Sequence, residues 1–328
     1  MKGFRIFLII ASFLLLIYML GPCPSQPIFS LILPEVPAAP TELENFVSAM
    51  EAKHKLKPNN EARIVWANDS LKIPTTYALV YLHGFSASQE EGNPVHRQIA
   101  KEFGYNLYLS RLAEHGIDTT EQLMNLTADK LWESAKLAFT IGKRLGRKII
   151  LMGTSTGGTL ALQLAAAYPN DVAGLILYSP NIAINDPAAP LLNNPWGLQI
   201  ARIVKGSNYL TPPDTRAIYK QYWNSPYRLE AAVALEELVE CTMKESTFKK
   251  IKQPVLALYY YKDENHQDQV VKVEAIKNMV NELGTNDALK TAIALPLVGD
   301  HVQASPIRSK DVHSVLLETE KFVRKNLQ

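Results

Sequence analysis

Residues 147–163 read Arg-Lys-Ile-Ile-Leu-Met-Gly-Thr-Ser-Thr-Gly-Gly-Thr-Leu-Ala-Leu-Gln, and they contain the strongest structural signal in the chain. Their apolar run at residues 149–152 predicts a buried strand, and the apolar residues after Gly158 recur at helical spacing. Between strand and helix lies Gly-x-Ser-x-Gly, centred on Ser155. Such a sharp turn lifts a serine hydroxyl off the backbone, and its glycines are needed because a Cβ would collide with the neighbouring strand or helix. The pattern predicts that Ser155 is a nucleophile.

A serine hydroxyl is inert at neutral pH unless a base takes its proton and a carboxylate orients that base. His301 follows a strand-like run at residues 291–295 and is the candidate base. Carboxylates follow another strand-like run, residues 254–261, in the loop at residues 262–269. Serine, acid and histidine therefore occur in the chain order that accompanies a strand-to-helix nucleophile turn.

A fourth motif, Leu-Val-Tyr-Leu-His-Gly-Phe-Ser, occupies residues 79–86. With these motifs in order, the chain from about residue 60 onward resembles the α/β-hydrolase family, specifically its carboxylesterase and monoacylglycerol-lipase-like members. The resemblance implies a mostly parallel, doubly wound sheet with an inserted helical cap. It also implies that the oxyanion is bound by the backbone N–H groups of Phe85 and Thr156, since the reaction needs preorganised donors where negative charge develops. By the same resemblance His83 shapes the loop.

The acid is where the sequence departs from the family pattern, which runs strand, Gly-x-x-Asp and then a pair of apolar residues. Counting forward from the strand favours Asp263, whereas counting back from Val270 and Val271 favours Asp268. We predict Asp268, because an apolar pair that packs the loop fixes the position of the preceding carboxylate. Asp263 remains the alternative.

The N-terminus carries an uncharged apolar run at residues 6–20, preceded by Lys2 and Arg5. Fifteen helical residues rise about 22 Å, less than the ~30 Å hydrocarbon core of a bilayer. No small-residue cleavage site follows, and prolines flank Cys23. We expect residues 1–22 to be a retained signal anchor rather than a cleaved or lipidated segment. The positive leading flank then predicts a membrane-anchored protein with its catalytic domain exported to the periplasmic or extracellular side.

Three further segments complete the predicted organisation. Residues 23–40 form a Pro-rich linker, a stiff spacer expected to hold the globular domain away from the bilayer. Residues 41–328 form the α/β-hydrolase domain. Within it, the interval between the predicted strands around residues 178 and 254 is too long for one crossover, so a cap is expected at about residues 181–250.

Composition and motifs limit which partners and cofactors the chain is expected to bind. The chain has 34 basic and 32 acidic residues and a formal charge of +2, so it lacks the basic stripe of a nucleic-acid-binding protein. No metal-ligand or phosphate-binding motif occurs, so we expect neither a metal nor a cofactor. The two cysteines, Cys23 and Cys241, do not form a disulfide framework. His54, His96 and His313 lie on polar helical faces and are predicted to be solvated. Oligomeric state has no sequence signature.

The sequence thus predicts a serine hydrolase that cleaves carboxylic esters through Ser155, His301 and Asp268. By resemblance, its small-molecule or lipid substrates are medium-chain or monoacylglycerol-like esters. Acyltransferases, thioesterases and peptidases use the same triad, because they differ only in the acyl donor or in the nucleophile that reaches the acyl-enzyme. A non-catalytic relative that binds a hydrophobic ligand is the alternative from another class.

Overall fold

A twisted, mostly parallel sheet forms the centre of residues 2–327, the part of the chain that the computed structural model describes. Seven strands make this sheet, in the order β1-β3-β2-β4-β5-β8-β11, and only β1 is antiparallel to its neighbour. The remaining four strands form two short two-stranded antiparallel sheets, β9–β10 and β6–β7. The strands are β1 (Arg63–Val65), β2 (Thr75–Leu82), β3 (Asn106–Leu109), β4 (Gly146–Thr154), β5 (Val172–Tyr178), β6 (Tyr209–Leu210), β7 (Tyr227–Arg228), β8 (Val255–Tyr259), β9 (Tyr261–Asp263), β10 (His266–Gln267) and β11 (Lys290–Ala294).

Helices cover both faces of the sheet. Helices α4, α5, α8 and α10 bury their apolar side chains against one face, and α3 and α11 bury theirs against the other. This arrangement confirms the predicted doubly wound α/β architecture. The helices are α1 (Lys2–Met19), α2 (Pro40–Glu51), α3 (Val95–Phe103), α4 (Ala128–Leu145), α5 (Thr156–Ala167), α6 (Gly197–Lys205), α7 (Ala217–Tyr222), α8 (Leu229–Thr242), α9 (Glu245–Phe248), α10 (Val273–Glu282) and α11 (Val312–Asn326), with 3-10 turns at Gln89–Gly92, Ala189–Asn193 and Asp287–Leu289.

The central strands are long apolar runs because both of their faces are covered. Residues 78–82 of β2 and residues 149–154 of β4 are buried without interruption. A strand with one solvated face would alternate apolar and polar residues, whereas a parallel strand between two helical layers has no solvated side. The apolar runs therefore identify the interior of the sheet, and their carboxyl ends all open on one edge.

The segment between β5 and β8 is an insertion that lies over this edge. It contains α6, α7, α8, α9 and the two-stranded sheet β6–β7. Helix α8 packs against α4 and α5, while α6 packs against α8 and the 3-10 turn at Ala189–Asn193. The inserted segment is thus tied to the body through α8, and α6 lies at its outer side.

The predicted membrane anchor is wrong. Helix α1 has 18 residues and includes Lys2 and Arg5 in its first turns. Eighteen residues rise about 27 Å, which is shorter than the hydrocarbon core. None of the helices in residues 2–327 combines the length and the apolar character needed to cross a membrane. The transmembrane segment, the membrane partner and the membrane-anchored, exported location predicted from residues 1–22 are therefore not supported.

The Pro-rich segment is extended, but it lies along the domain instead of holding it away from another surface. The indole of Trp132 on α4 donates to the carbonyl of Ser30 at 2.7 Å. One helical turn later, Lys136 Nζ donates to the carbonyl of Ile32 at 2.7 Å. Val36 is almost completely buried against the same helix layer. Residues 28–36 therefore form a strap over α4, held by side chains that donate to its backbone carbonyls.

We expect removal of residues 1–40 to destabilise the domain more than removal of residues 1–22. Loss of the strap uncovers the apolar contacts of Phe29, Leu33 and Val36, which together are worth about 3 kcal/mol. A domain of this size should then unfold at least about 5 °C lower. Calorimetry of the two truncated proteins tests this expectation, and equal unfolding temperatures would contradict it.

Candidate active site

Ser155 occupies a strained turn between β4 and α5. Its backbone has φ +52° and ψ −116°, a region that costs a non-glycine residue about 1–3 kcal/mol. The flanking glycines make the turn possible, because a Cβ on Gly157 would overlap the carbonyl of Leu82. A Cβ on Gly153 would lie 2.5 Å from the carbonyl carbon of Gly157. The collisions expected from the sequence are therefore present, and they fix the serine at the carboxyl edge of the sheet.

Asp268 and His301 form a close pair in loops after β10 and β11. The Oδ2 atom of Asp268 lies 2.7 Å from Nδ1 of His301. The other oxygen, Oδ1, accepts the backbone N–H groups of Val270 at 2.8 Å and Val271 at 3.1 Å. Val271 is completely buried. Val271 thus holds the carboxylate by packing and by its N–H, whereas Val270, whose side chain is exposed, contributes only its N–H.

The alternative acid, Asp263, lies elsewhere. Its carboxylate accepts the backbone N–H of His266 and contacts the ring of that histidine, with 2.8 Å between Oδ1 and Nδ1. Both side chains are exposed on the β9–β10 hairpin. The structure therefore brings Asp268, and not Asp263, to His301.

The two members of the buried pair shift each other's pKa in opposite directions. Burial alone would lower the pKa of His301, but the charge of Asp268, the hydrogen bond to it and the charges of Glu91 and Asp300 together outweigh burial and hold that pKa above its usual value. Burial would raise the pKa of Asp268, but the charge and hydrogen bond of His301 outweigh it and lower the pKa. The arrangement favours the ion pair, so it stabilises an imidazolium at His301.

The loop after β2 leaves one backbone donor free. The N–H of Gly84 donates to Oε2 of Glu91 at 2.5 Å, and the N–H of Ser86 donates to Nε2 of His115 at 2.9 Å. Between them, the N–H of Phe85 has no acceptor among residues 2–327. An unpaired N–H flanked by two paired ones is what an oxyanion site requires of its loop.

The second predicted donor, the N–H of Thr156, belongs to the first residue of α5. First-turn N–H groups of a helix have no intrahelical acceptor, and within the described chain none is provided for this one from outside. His83 lies beneath the oxyanion loop, where its Nε2 accepts the N–H of Leu112 at 3.0 Å. Burial holds the pKa of His83 well below its usual value, so the ring is neutral and acts as an acceptor. His83 therefore braces the loop.

Ser155 and His301 line one cavity of about 950 Å³ beneath the insertion. This volume is near the upper end of the ~300–1,000 Å³ range of small-molecule sites. The walls are mainly apolar and come from several segments, including the end of α1. Apolar and aromatic lining residues include Tyr18, Phe85, Leu192, Ile200, Tyr219 and Trp223. The cavity is suited to an apolar substrate group that reaches the serine.

The aromatic wall of the cavity is fixed to the body of the domain. Tyr219 and Trp223 stack with their ring centroids 5.0 Å apart. Lys57, from the loop before β1, donates through Nζ to the carbonyls of Lys220 and Trp223, both at 3.0 Å, and to the side chain of Gln122 at 3.1 Å. Burial lowers the pKa of Lys57 to about 8. Two carbonyls at the end of α7 are thus bonded to one ammonium group, which ties α7 to the domain.

Sequence reasoning missed Glu91 and Tyr18, which both line the cavity. Glu91 belongs to a pair of acidic residues in a loop, a pattern that usually indicates solvation, and no local signal marks it. The prediction for His96 is wrong. This residue is completely buried, with Nε2 2.8 Å from the carbonyl of Gln89, and burial lowers its pKa to about 3.

The parallel sheet, the strained nucleophile turn and the Asp–His pair define an α/β hydrolase. Comparison with known protein families shows to which family within this fold the chain belongs. Residues 79–294 match the family described as serine aminopeptidase, S33, and the chain belongs to this family. The predicted resemblance to α/β-hydrolase esterases is thereby confirmed.

Individual relatives agree with this assignment. Lipase 1 of Psychrobacter immobilis is 25% identical over 224 residues, covering 62% of this chain and 66% of the lipase, so the chain spans just under two thirds of that protein. A structure of the metagenome-derived lipolytic enzymes LipS and LipT superposes with a TM-score of 0.64 at 19% identity, over 83% of this chain and 100% of the other. The monoacylglycerol lipase of Paleococcus ferrophilus gives 0.57 at 15% identity, over 80% and 98%. The two structures show the shared fold.

The Asp268–His301 pair gives a prediction that needs no substrate. Asp268→Asn removes the largest of the effects that raise the pKa of His301. The lowering effect of burial is then opposed only by the charges of Glu91 and Asp300. We expect the ring of His301 to titrate below its usual value of about 6.5, against a titration above it in the unchanged protein. NMR titration of the His301 ring measures its pKa in the variant and in the unchanged protein. Asp263→Asn is the matched control and should leave His301 unchanged; an equal effect of the two substitutions would contradict the assignment.

Proposed function

We propose that the protein is a serine carboxylesterase that acts on medium-chain or monoacylglycerol-like esters. One observation carries the proposal. The hydroxyl of Ser155, the ring of His301 and the unpaired N–H of Phe85 belong to residues that line one apolar cavity, and Asp268 holds the far side of the ring. Nucleophile, base, orienting acid and oxyanion donor are the complete set that acyl transfer needs.

In the first half-reaction, His301 accepts the proton of Ser155 as the serine oxygen attacks the ester carbonyl. The resulting oxyanion lies against the N–H groups of Phe85 and Thr156, which need no reorganisation to receive it. Asp268 stabilises the imidazolium. The C–O bond to the alcohol then breaks, His301 gives its proton to the departing oxygen, and an acyl-serine remains.

In the second half-reaction, water enters the site left by the alcohol. His301 takes a proton from the water as its oxygen attacks the acyl-serine carbonyl. The oxyanion again lies at the two N–H groups. Collapse breaks the bond to Ser155, the proton returns to the serine oxygen, and the carboxylic acid leaves. The net reaction consumes one ester and one water and yields one acid and one alcohol.

The substrate class follows from the cavity walls. Apolar side chains such as Leu192, Ile200 and Trp223 remove an alkyl chain from water, at about 0.8 kcal/mol for each buried methylene group. This gain favours acyl groups longer than acetyl. The monoacylglycerol lipase with the same fold agrees with such a substrate, although its likeness is one of fold.

An aminopeptidase activity is the second candidate, because the matching family is described as serine aminopeptidase, S33. The same triad would attack a peptide carbonyl, and the leaving amine would take the proton of His301. An aminopeptidase must also bind a charged amino terminus beside the serine. Glu91 and Asp300 do line the cavity, but Glu91 is bonded to the Gly84 N–H and Asp300 to Arg308. The mainly apolar cavity therefore favours the ester over that substrate.

We expect the full chain to hydrolyse p-nitrophenyl esters, with a higher kcat/KM for medium-chain acyl groups than for acetate. Ser155→Ala removes the nucleophile and should lower kcat by about 10⁴-fold or more. The matched control is Ser70→Ala, at an exposed serine far from the sheet edge. The assay covers acetate to palmitate, with an aminoacyl p-nitroanilide in parallel.

Two results would overturn the proposal. Ester turnover that survives Ser155→Ala would exclude this serine as the nucleophile. A folded protein that cleaves the anilide and none of the esters would establish the aminopeptidase instead.

A further inference from the structure

Glu91 is a buried carboxyl group that the esterase mechanism does not use. It lies in the 3-10 turn Gln89–Gly92, is 2% exposed and lines the catalytic cavity. Its Oε2 atom accepts the N–H of Gly84 at 2.5 Å. A Cβ on Gly84 would lie 2.9 Å from each oxygen of Glu91 and 3.2 Å from Cβ of Ser155. Carboxyl group, oxyanion loop and nucleophile are therefore packed together.

Gly84 is the residue whose conformation aims the oxyanion donor. A peptide unit is planar and trans, so the direction of the Gly84 carbonyl fixes the opposite direction of the Phe85 N–H. The Gly84 carbonyl accepts the N–H of Ala87 at 3.2 Å and lies 2.9 Å from Nδ1 of His83. Glycine has the greatest backbone freedom of any residue. Its conformation is fixed only if the peptide on its other side is held as well, and Glu91 holds that peptide.

We propose that Glu91 is a titratable positioning residue of the oxyanion site, which orients the loop through the N–H of Gly84 and sets a second ionisable carboxyl group beside His301. This role rests on the proposed ester hydrolysis. Glu91 is not a further member of the triad, because its hydrogen bond is to the N–H of Gly84 and not to Ser155 or His301. It acts on the reaction through the backbone of Gly84 and through its own charge.

The surroundings of Glu91 bring its ionisation into the working pH range. Burial raises the pKa of its carboxyl group to about 7, against the lowering effects of the Gly84 N–H and of His301. The ionisable groups that interact electrostatically with it are Tyr81 of β2, Asp300 and His301 of the loop after β11, and Tyr219 of α7. Asp300 opposes its ionisation. Conversely, ionised Glu91 raises the pKa of His301.

The sign of the resulting pH effect follows from charge. A serine hydrolase needs neutral His301, so its activity rises as the pH passes the pKa of that ring. Negative Glu91 stabilises the imidazolium form of His301. The acid limb of the pH profile, which is the part where activity rises with pH, therefore lies at higher pH. A neutral group of the same shape must therefore move the limb to lower pH.

Glu91→Gln is the decisive variant, because the side chain keeps its size and an oxygen that can accept the Gly84 N–H. We expect the midpoint of the acid limb of kcat/KM to fall by about half a pH unit, and plateau kcat to fall modestly, since a neutral amide is a weaker acceptor than a carboxylate. NMR titration of the His301 ring should show a shift in the same direction. Glu90→Gln, one residue earlier and bonded to Asn93, is the matched control and should change neither readout.

Glu91→Ala tests the positioning role separately. It leaves the Gly84 N–H without its acceptor, so the conformation of Gly84 is held on one side only and the direction of the Phe85 donor is less tightly fixed. We expect kcat to fall about 10–100-fold, somewhat less than deletion of a whole oxyanion donor costs. KM should change less than about threefold, because the oxyanion exists only in the transition state.

Each result decides one part of the proposal. A Glu91→Gln enzyme whose acid limb and His301 titration superpose on those of the unchanged protein would overturn the charge coupling. A folded Glu91→Ala enzyme with unchanged kcat would overturn the positioning role; if that variant does not fold, the Glu91→Gln measurements still decide. Absence of ester turnover in the unchanged protein would refute the proposed function alone, since the His301 titration needs no substrate.

Discussion

The close packing of helix α5 against the end of β2 is the constraint on which the site depends. No side chain fits at Gly157, because the carbonyl of Leu82 occupies that space. The first turn of α5 therefore lies directly beside the loop that follows β2. Two backbone donors about seventy residues apart in the sequence, on Phe85 and Thr156, thereby lie on neighbouring segments at the edge of the sheet. The strained backbone of Ser155 is tolerated because the strand before it and the helix after it are both completely packed.

Much of this arrangement was predictable because it follows from local patterns and one topological rule. Apolar runs identified the central strands, and the carboxyl ends of parallel strands open on one edge, where ligands bind. Ser155, His301 and the 262–269 loop each follow such a strand, so the sequence could place them together. It could also favour Asp268 over Asp263, because the apolar pair after Asp268 indicated a loop that packs inward.

The remaining features depend on contacts that leave no local pattern. His96 lies on a helix face that looks polar in sequence, and only the approach of Gln89 and Tyr81 buries it. Residues 28–36 bind to α4 through their backbone carbonyls, which every sequence possesses, so composition indicated only an extended chain. The hydropathy of residues 6–20 indicated a membrane anchor, but the helix that these residues form is too short to span a bilayer. The burial of Glu91 is a feature of the same kind, because two adjacent acidic residues in a sequence do not indicate that one of them is buried.

The tether at Lys57 has a consequence for how substrates enter and products leave. Lifting α7 would strip the Lys57 ammonium group of two of its three acceptors, the two carbonyls at the end of α7, which makes that motion costly. Helix α6 is bonded to α8 within the insertion, through Arg202 and Glu230, and its outer residues Ile203 and Val204 are mostly exposed. The two walls of the cavity are therefore held differently: α7 is bonded to the body of the domain, and α6 is bonded to another part of the insertion. We expect substrates to enter and products to leave on the α6 side, so that the rate of product release depends on a helix that takes no part in the chemistry.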